Sequence, residues 1–253
     1  MGIQFQPPAA TAVTVTPTPA IPLTSPLRPE ALKGMLALHP NRLFAQYVVD
    51  GATHGFHIDA KLSIGDESII YDNLPSAAAR PQVIREWLSK ELQAKRIHGP
   101  FPEVPFGCMA NPIGTVPKSK REFPITKFRT INHFSYAYGN TPSVNDSIDP
   151  ADHSLTYMSF LDLAAAARRM GPGCFVAKVD IANAFRNLAT HPSAHRYGFL
   201  VIDGKVYLDG AINFGCRASP KVFRLGRRGH QLGSATPLRR LAGGRDGRGY
   251  APA

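Results

Sequence analysis

The sequence of 253 residues contains few cysteines and no long apolar run. Its three cysteines, Cys108, Cys174 and Cys216, are odd in number and lack the spacing of a metal site, so free thiols in a reducing compartment are expected. No apolar stretch approaches the length of a membrane span, and the first thirty residues lack the basic start and apolar core of a secretory signal. These features favour an intracellular protein, cytoplasmic or nuclear, with no membrane partner.

Acidic residues are also scarce, with 18 Asp and Glu against 29 Lys and Arg and a formal net charge of +11. Such an excess favours a polyanionic partner, because clustered cations attract phosphate backbones. The excess is uneven: residues 224–253 hold seven arginines and a single acid, Asp246, and the remainder is only mildly basic. Hydrophobic residues make up 43% of the chain, which is enough to form a core.

The composition divides the chain into four parts. Residues 1–28 are rich in Pro, Thr and Ala, which predicts a disordered leader, with a proline-rich docking ligand as the alternative. Residues 29–99 are predicted to be a helical N-terminal region, and residues 100–223 are predicted to hold strands and a hairpin. Residues 224–253 are rich in Arg and Gly, which predicts a disordered tail.

Three helices are predicted in the N-terminal region. The first begins at Pro29, a residue suited to a first helical position, and the second covers residues 41–49 and ends before Asp50. The third begins at Pro81 and is predicted to end at Gly99-Pro100, with apolar residues at helical spacing at Val83, Ile84, Trp87, Leu88 and Leu92. On its surface, Glu91 and Lys95 lie four residues apart, as in a helical ion pair.

A further helix is predicted after Ser159, which is a suitable N-cap, with Asp162 in the first turn and Gly171 at the end. Residues 143–149, SVNDSID, are predicted to form a loop, and neither Asn145 nor Asp146 is assigned any chemistry.

Residues 175–223 carry the strongest pattern. Apolar and polar residues alternate over 175–181, which predicts a strand with Asp180 at its far end, where a carboxylate suits Mg²⁺. The alternative for Asp180 is an ordinary acid at a strand end. A hairpin follows, formed by residues 197–202 and 205–209 around Asp203-Gly204, and then a loop, FGCRASP.

The segments KVDIANAF and INFGCRASPKVF, with the hairpin between them, follow GPF, NPIGTVPK, RTINHFS and SVNDSID in the sequence. As an ordered set they resemble reverse transcriptases, the RNA-directed DNA polymerases, and look most like the retroelements that encode a tyrosine recombinase, the DIRS-type group. The resemblance covers roughly residues 40–223. It implies an α+β fold, an incomplete right-hand polymerase in which residues 100–223 form the fingers and a partial palm.

The resemblance implies roles for several residues of the palm. Asp180 would be the catalytic carboxylate that binds two Mg²⁺ ions, with the carbonyl of Ile181 as a further metal ligand. Phe185 would lie under the sugar of an incoming dNTP, where a bulky ring excludes the 2′-hydroxyl; plain packing is the alternative. Phe214 and Gly215 would form the loop against which the nucleotide and the template base rest. The implied partners are an RNA template, a DNA primer and dNTP.

In the fingers, residues 111–116 and 127–131 are predicted strands joined by a basic connection. The resemblance implies that Lys118 and Arg129 hold the triphosphate, and a solvated charged loop is the alternative. The connection is longer than is usual in the family, so the choice among its basic residues stays open. Arg217 is either a phosphate contact or an ordinary surface residue.

The family's second carboxylate motif, an aromatic-x-Asp-Asp turn, is missing from the sequence. The resemblance ends after Phe223, as expected for a domain truncated by a frame change or a mis-spliced exon, and one carboxylate does not hold two metals. An inactive reverse-transcriptase-like fragment is therefore expected. The alternative is a non-catalytic nucleic-acid-binding remnant that uses the finger cations and the Arg/Gly tail.

Overall fold

The computed structural model describes residues 18–119, 126–137, 139–155, 157–177 and 180–224. Helices and strands are both present, and the larger sheet is mixed, which confirms the α+β prediction. Cys108, Cys174 and Cys216 are free, also as predicted. Within the described residues, no helix has the length and apolar content needed to cross a membrane.

The helices begin at the residue types that favour helix starts. Proline occupies a first-turn position in four of them, and Asn41 caps another by accepting a hydrogen bond from the amide of Phe44. Their bounds are α1 (Pro29–Leu36), α2 (Arg42–His54), α3 (Pro75–Ala78), α4 (Pro81–Gln93), α5 (Pro150–His153) and α6 (Phe160–Met170).

The strands form two sheets. They are β1 (Ile69–Ile70), β2 (Ile97–Phe101), β3 (Met109–Ala110), β4 (Ile113–Pro117), β5 (Phe128–Asn132), β6 (Phe199–Ile202) and β7 (Lys205–Asp209). The larger sheet has the order β1-β3-β6-β7-β2, in which β3 is parallel to β1 and β6, and β7 is antiparallel to β6 and β2. β4 and β5 form a separate antiparallel pair, as the sequence predicts.

The hairpin β6–β7 confirms the prediction made from its turn. Asp203 and Gly204 have φ angles of 50° and 70°, the positive values that a two-residue hairpin connection requires. Phe199 and Leu208 are opposite each other in the hairpin, and both are fully buried. The hairpin therefore contributes the centre of the larger sheet and part of the core.

Helix α2 is longer than predicted. It continues past Asp50 and Gly51 to His54, because Gly51 is a packing position rather than a helix end. A Cβ atom on Gly51 would lie 2.2 Å from the ring of Phe56, so the missing side chain lets this buried ring pack against the helix. Helix α4 ends at Gln93, earlier than predicted, and Gly99 and Pro100 belong to β2.

The strand predicted over residues 175–181 is wrong for the described residues of that segment, none of which is in a strand. Phe175 is 98% exposed and Val176 is 65% exposed. An alternating sequence forms a strand only where a neighbouring strand accepts its hydrogen bonds, and the described residues of this segment belong to neither sheet.

The described part of the predicted leader contacts the rest of the fold. Ser25 donates a hydrogen bond to the carbonyl of Asn187 at 2.7 Å, and Ile21 and Leu27 pack against buried apolar residues. Residues 1–17 of that leader, residues 120–125 of the basic connection between β4 and β5, and residues 225–253 of the predicted tail lie outside the described residues.

Candidate functional site

A cavity of about 770 Å³ lies between the β4–β5 pair, helix α4 and the segments that flank the β6–β7 hairpin. Among the described residues, five cationic side chains and two carboxylates line it, so its surface is basic. Its lining residues include Trp87, Lys90 and Glu91 from α4, Lys118, Lys127, Phe128, Arg129 and Asn132 from the β4–β5 pair and its connection, and Asn183, Arg186, Asn213 and Phe214.

The cavity brings together Lys118, Arg129 and Phe214, three residues singled out in the sequence for nucleotide binding. Phe185 contacts the cavity wall, because its ring centroid lies 4.9 Å from that of Phe214. Asp180 and Ile181, the predicted metal ligands, are exposed and are not among the described residues that line the cavity.

Lys118 and Arg129 are held at the end of the regular antiparallel ladder of β4 and β5. Val116 pairs with Arg129 in the antiparallel register, and the amide of Lys118 donates to the carbonyl of Lys127 at 2.9 Å. A cation–π contact also holds β5, since the guanidinium of Arg80 lies 4.1 Å from the centroid of the Phe128 ring. The backbone at Lys118 and Arg129 is therefore ordered, and their exposed side chains extend from it into a basic surface.

The aromatic wall is formed by residues from one block of the chain. Phe185 is half-buried and contacts Phe214 and also Phe223, with a centroid distance of 5.5 Å to the latter. Phe214 is 57% exposed, although it is apolar. Phe185 therefore has a packing role, and Phe214 is the ring that is available to stack on a ligand.

Arg186, which adjoins Phe185, is the centre of a buried ionic network. Its Nη1 donates to both carboxylate oxygens of Asp209, at 2.9 and 2.8 Å, and its Nη2 donates to Glu91 at 2.7 Å. Nη1 also lies 3.2 Å from Oδ1 of Asn213. Glu91 in turn accepts two hydrogen bonds from Arg96. One guanidinium thus joins α4, β7 and the loop before Phe214.

Burial and ion pairing have opposite effects on the pKa values in this network. Burial raises the pKa of the Asp209 carboxyl, although Arg186 acts against the rise. Burial also acts to raise the pKa of Glu91, but hydrogen bonding and charge from Arg96 and Arg186 outweigh it and lower that pKa. Burial would lower the pKa of Arg186, yet its two carboxylate partners raise it, so the guanidinium stays cationic.

The network was not predicted from the sequence, where Glu91 is paired with Lys95. Glu91 lies on the buried face of α4, with Ile84 and Leu88, and binds Arg96 and Arg186 instead. Its spacing of seven and three residues from those apolar positions is the signal that could have placed it inside. Arg186, a lone cation in the mainly apolar segment ANAFRNL, is the second such signal.

The loop at Gly215 is docked closely on the end of β5. A Cβ atom at Gly215 would lie 1.9 Å from the carbonyl oxygen of Asn132, so only glycine permits this approach. Asn145 holds the loop, as its Nδ2 donates to the carbonyl of Gly215 at 2.8 Å. Arg217 donates from Nη1 to the carbonyls of Asn145 and Ile148, so part of its donor capacity is committed within the fold.

The residues around Asp180 do not fit a pair of Mg²⁺ ions. Asp180 is exposed and lies in an irregular segment, and within the described part of the chain no group of three His, Cys, Asp or Glu side chains could hold a metal. The two carboxylates of the β6–β7 hairpin are committed elsewhere, since Asp203 binds Arg85 and Asp209 binds Arg186. No chemical step is therefore derived through a metal in this chain.

No family model matches the sequence, and no curated protein matches it. Among solved structures, the protease-reverse transcriptase of prototype foamy virus is similar at 18% identity and a TM-score of 0.45, over 72% of this chain and 21% of that one. The foamy viral enzyme in complex with an RNA/DNA hybrid is similar at 14% identity and a TM-score of 0.45, over 86% of this chain and 29% of that one. Its dRH form in complex with double-stranded DNA is similar at 14% identity and a TM-score of 0.43, over 85% of this chain and 37% of that one.

The chain thus spans between about a fifth and two fifths of the length of these viral proteins. At these identities and TM-scores, the likeness assigns neither a fold nor an activity to this chain.

Proposed function

We propose that the cavity binds a deoxynucleoside triphosphate and that the chain is a reverse-transcriptase-like fragment, with fingers and a partial palm, of RNA-directed DNA polymerase ancestry. The observation that carries the proposal is the convergence of Lys118, Arg129 and Phe214 in one basic cavity from two distant parts of the sequence. A resemblance in short motifs alone would not require these side chains to meet.

Each part of the cavity suits one part of a nucleotide. Lys118 and Arg129 neutralise the triphosphate, and Lys90 and Lys127 add positive charge to the same surface. The exposed ring of Phe214 offers a face for stacking on the sugar or base, with Phe185 packed behind it. The cavity also accommodates a nucleotide by size, since sites for small molecules commonly measure about 300–1,000 Å³.

The proposal is nucleotide binding without nucleotidyl transfer by these 253 residues alone. The sequence supplies Asp180 but no aromatic-x-Asp-Asp turn, whereas a two-metal displacement needs carboxylates for both ions. Primer extension on an RNA template with Mg²⁺ and dNTPs tests this part. Incorporation that is abolished in Asp180→Ala would overturn it.

The single tryptophan, Trp87, lines the cavity and serves as a built-in reporter. Titration of the full chain with dATP should change Trp87 fluorescence and yield a Kd. Removal of one charge-assisted contact in Arg129→Ala should raise that Kd about tenfold or more. Lys33→Ala, which removes an exposed cation from α1, is the matched control and should leave the Kd unchanged. If both variants bound dATP equally weakly, the loss of affinity would follow from net charge alone, and this would contradict a defined nucleotide site.

A second candidate, nucleic-acid binding without a nucleotide site, is favoured by the cations on the cavity wall and by the arginine-rich C-terminal sequence. It predicts a steep dependence of affinity on salt for a single-stranded oligonucleotide, which deletion of residues 225–253 should largely remove. The nucleotide proposal predicts instead that dATP binding survives that deletion.

A further inference from the structure

We propose that Asn145 is a positioning residue for the cavity: its side-chain amide holds the loop at Gly215 against the end of β5 and thereby fixes Phe214 as the aromatic wall. The inference rests on the proposed nucleotide binding for its functional consequence, while the hold on the loop can be measured without any nucleotide.

The amide of Asn145 is buried and its hydrogen-bonding groups are engaged. The residue is 5% exposed. Its Nδ2 donates to the carbonyl of Gly215 at 2.8 Å and to Oγ of Ser135 at 2.7 Å, and its Oδ1 accepts from the amide of Arg217 at 2.8 Å. An asparagine amide has two donor hydrogens and one acceptor oxygen, so both donors are used and they connect two separate segments.

Asn145 is itself on a fixed element. It lies in the 3₁₀ turn Val144–Ser147, which begins with a capping box in which Ser143 and Asp146 exchange hydrogen bonds. Its backbone amide donates to the carbonyl of Phe134 at 2.9 Å, in the loop that follows β5. The turn therefore connects the loop at Gly215 to the finger strand that carries Arg129.

The effect on Phe214 follows from its two neighbours. Asn213 is 8% exposed and is held by Arg186, and Gly215 is held by Asn145 and has no room to move toward Asn132. Phe214 between them is 57% exposed. Because the backbone on both sides of this ring is fixed and the ring also contacts Phe185, less freedom is lost when a ligand stacks on it than on a ring in a mobile loop.

Asn145→Asp tests the inference, because it keeps the shape and the oxygen facing Arg217 but removes both donor hydrogens. With the Trp87 fluorescence assay, the Kd for dATP should rise about tenfold, a size usual for coupled neighbours. In a Phe214→Ala background, the same substitution should change the Kd by less than about twofold, because the ring through which it acts is gone. Equal effects in both backgrounds would overturn the positioning role.

Asn140→Asp is the matched control, since it makes the same chemical change at an exposed asparagine. Ser135→Ala is a second control that removes one partner of Nδ2 and leaves the bond to Gly215, and it should keep the Kd within about twofold. Should Asn145→Asp fail to fold, Asn145→Ser removes the amide without adding charge and takes its place.

Amide hydrogen exchange of residues 214–217 gives a readout that needs no ligand. Exchange there should be faster in Asn145→Asp than in Asn140→Asp, while the β6–β7 hairpin stays equally protected in both. Unchanged exchange at 214–217 would overturn the inference whether or not nucleotide binds. If the wild-type chain binds no dATP, the proposed function fails, and accelerated exchange confined to this loop still supports the hold by Asn145.

Discussion

The described residues of 157–181 and of 185–223 are close in the sequence but have opposite surroundings. In the first region, helix α6 has no buried residue, and large apolar side chains such as Phe160 and Phe175 are 80% and 98% exposed. In the second, Phe199, Leu200 and Leu208 are fully buried, and even the charged Arg186 and Asp209 lie inside. Asp180 in the first region is exposed and Arg186 in the second is buried, although only six positions separate them.

The difference shows which interactions determine structure in each region. Helix α6 is specified locally, by the capping box of Ser159 and Asp162 and by the turn at Gly171. Apart from the local turn of the β6–β7 hairpin, the second region is held by contacts between distant residues, such as the network of Arg186 with Glu91 and Asp209. The cavity is lined by Arg186, Asn213 and Phe214 of the second region together with residues of α4 and the β4–β5 pair, and α6 contributes none of the described lining residues, so its geometry depends on that network rather than on α6.

Loss of the guanidinium in Arg186→Met should have the largest effect. It leaves two buried carboxylates without their shared partner, which costs about 3–5 kcal/mol of the free energy of unfolding when one member of a buried pair is removed. Urea denaturation followed by circular dichroism measures the loss, and the expected outcome is a large fall in the midpoint or a chain that does not fold.

Arg85→Met is the matched control for that variant, because Arg85 also binds a carboxylate, that of Asp203, but both side chains are more than half exposed. Exposed ion pairs contribute little to the free energy of unfolding, so the urea midpoint of Arg85→Met should stay close to that of the wild type. If Arg186→Met and Arg85→Met had similar small effects, the buried network would not be what distinguishes the second region.

The parts of the fold that the sequence predicted are those with local signals. The β6–β7 hairpin follows from Asp203-Gly204 between apolar runs, and α6 follows from Ser159, Asp162 and Gly171. The strand predicted over 175–181 is wrong for the described residues of that segment, because alternation does not say whether a neighbouring strand is present.

The candidate site could be predicted only in part. Lys118, Arg129 and Phe214 were selected through the family resemblance, and the structure brings them to one cavity. The bonds of Arg186 to Glu91 and Asp209 span 95 and 23 residues, and no local pattern in the sequence indicates pairs at such separations. Asn145 was missed for a similar reason, because its hydrogen bond to Gly215 spans 70 residues.

The second region should also respond to pH through His195, which is 2% exposed. Burial lowers the pKa of His195 below 6.5, although the hydrogen bond from its Nε2 to the carbonyl of Thr190 opposes this effect. The unfolded chain therefore binds a proton at this residue more readily than the folded chain, so stability is present above pH 6.5 and is lost as the pH falls through the lowered pKa. His195→Gln should flatten the dependence of Tm on pH between about 7 and 5.

The exposed His54 at the end of α2 provides the comparison for that variant. His54→Gln should leave the slope of Tm against pH close to that of the wild type. A slope that is the same in His195→Gln as in the wild type would assign the acid sensitivity to other groups.

The smallest effect is expected in the first region, at the start of α6. Ser159→Ala removes the side chain that accepts a hydrogen bond from the amide of Asp162 and donates one to its carboxylate. Because α6 buries no residue, fraying of its first turn should not spread to the core, and the urea midpoint should stay at the wild-type value. Amide hydrogen exchange of residues 160–163 should become faster in this variant. Acidification should likewise make the exchange of these residues faster in the wild-type protein. The reason is that hydrogen bonds from Ser159 lower the pKa of Asp162, and these bonds to the carboxylate, which are half of the capping box, weaken as it protonates. A cooperative loss of stability in Ser159→Ala would instead show that α6 is coupled to the second region.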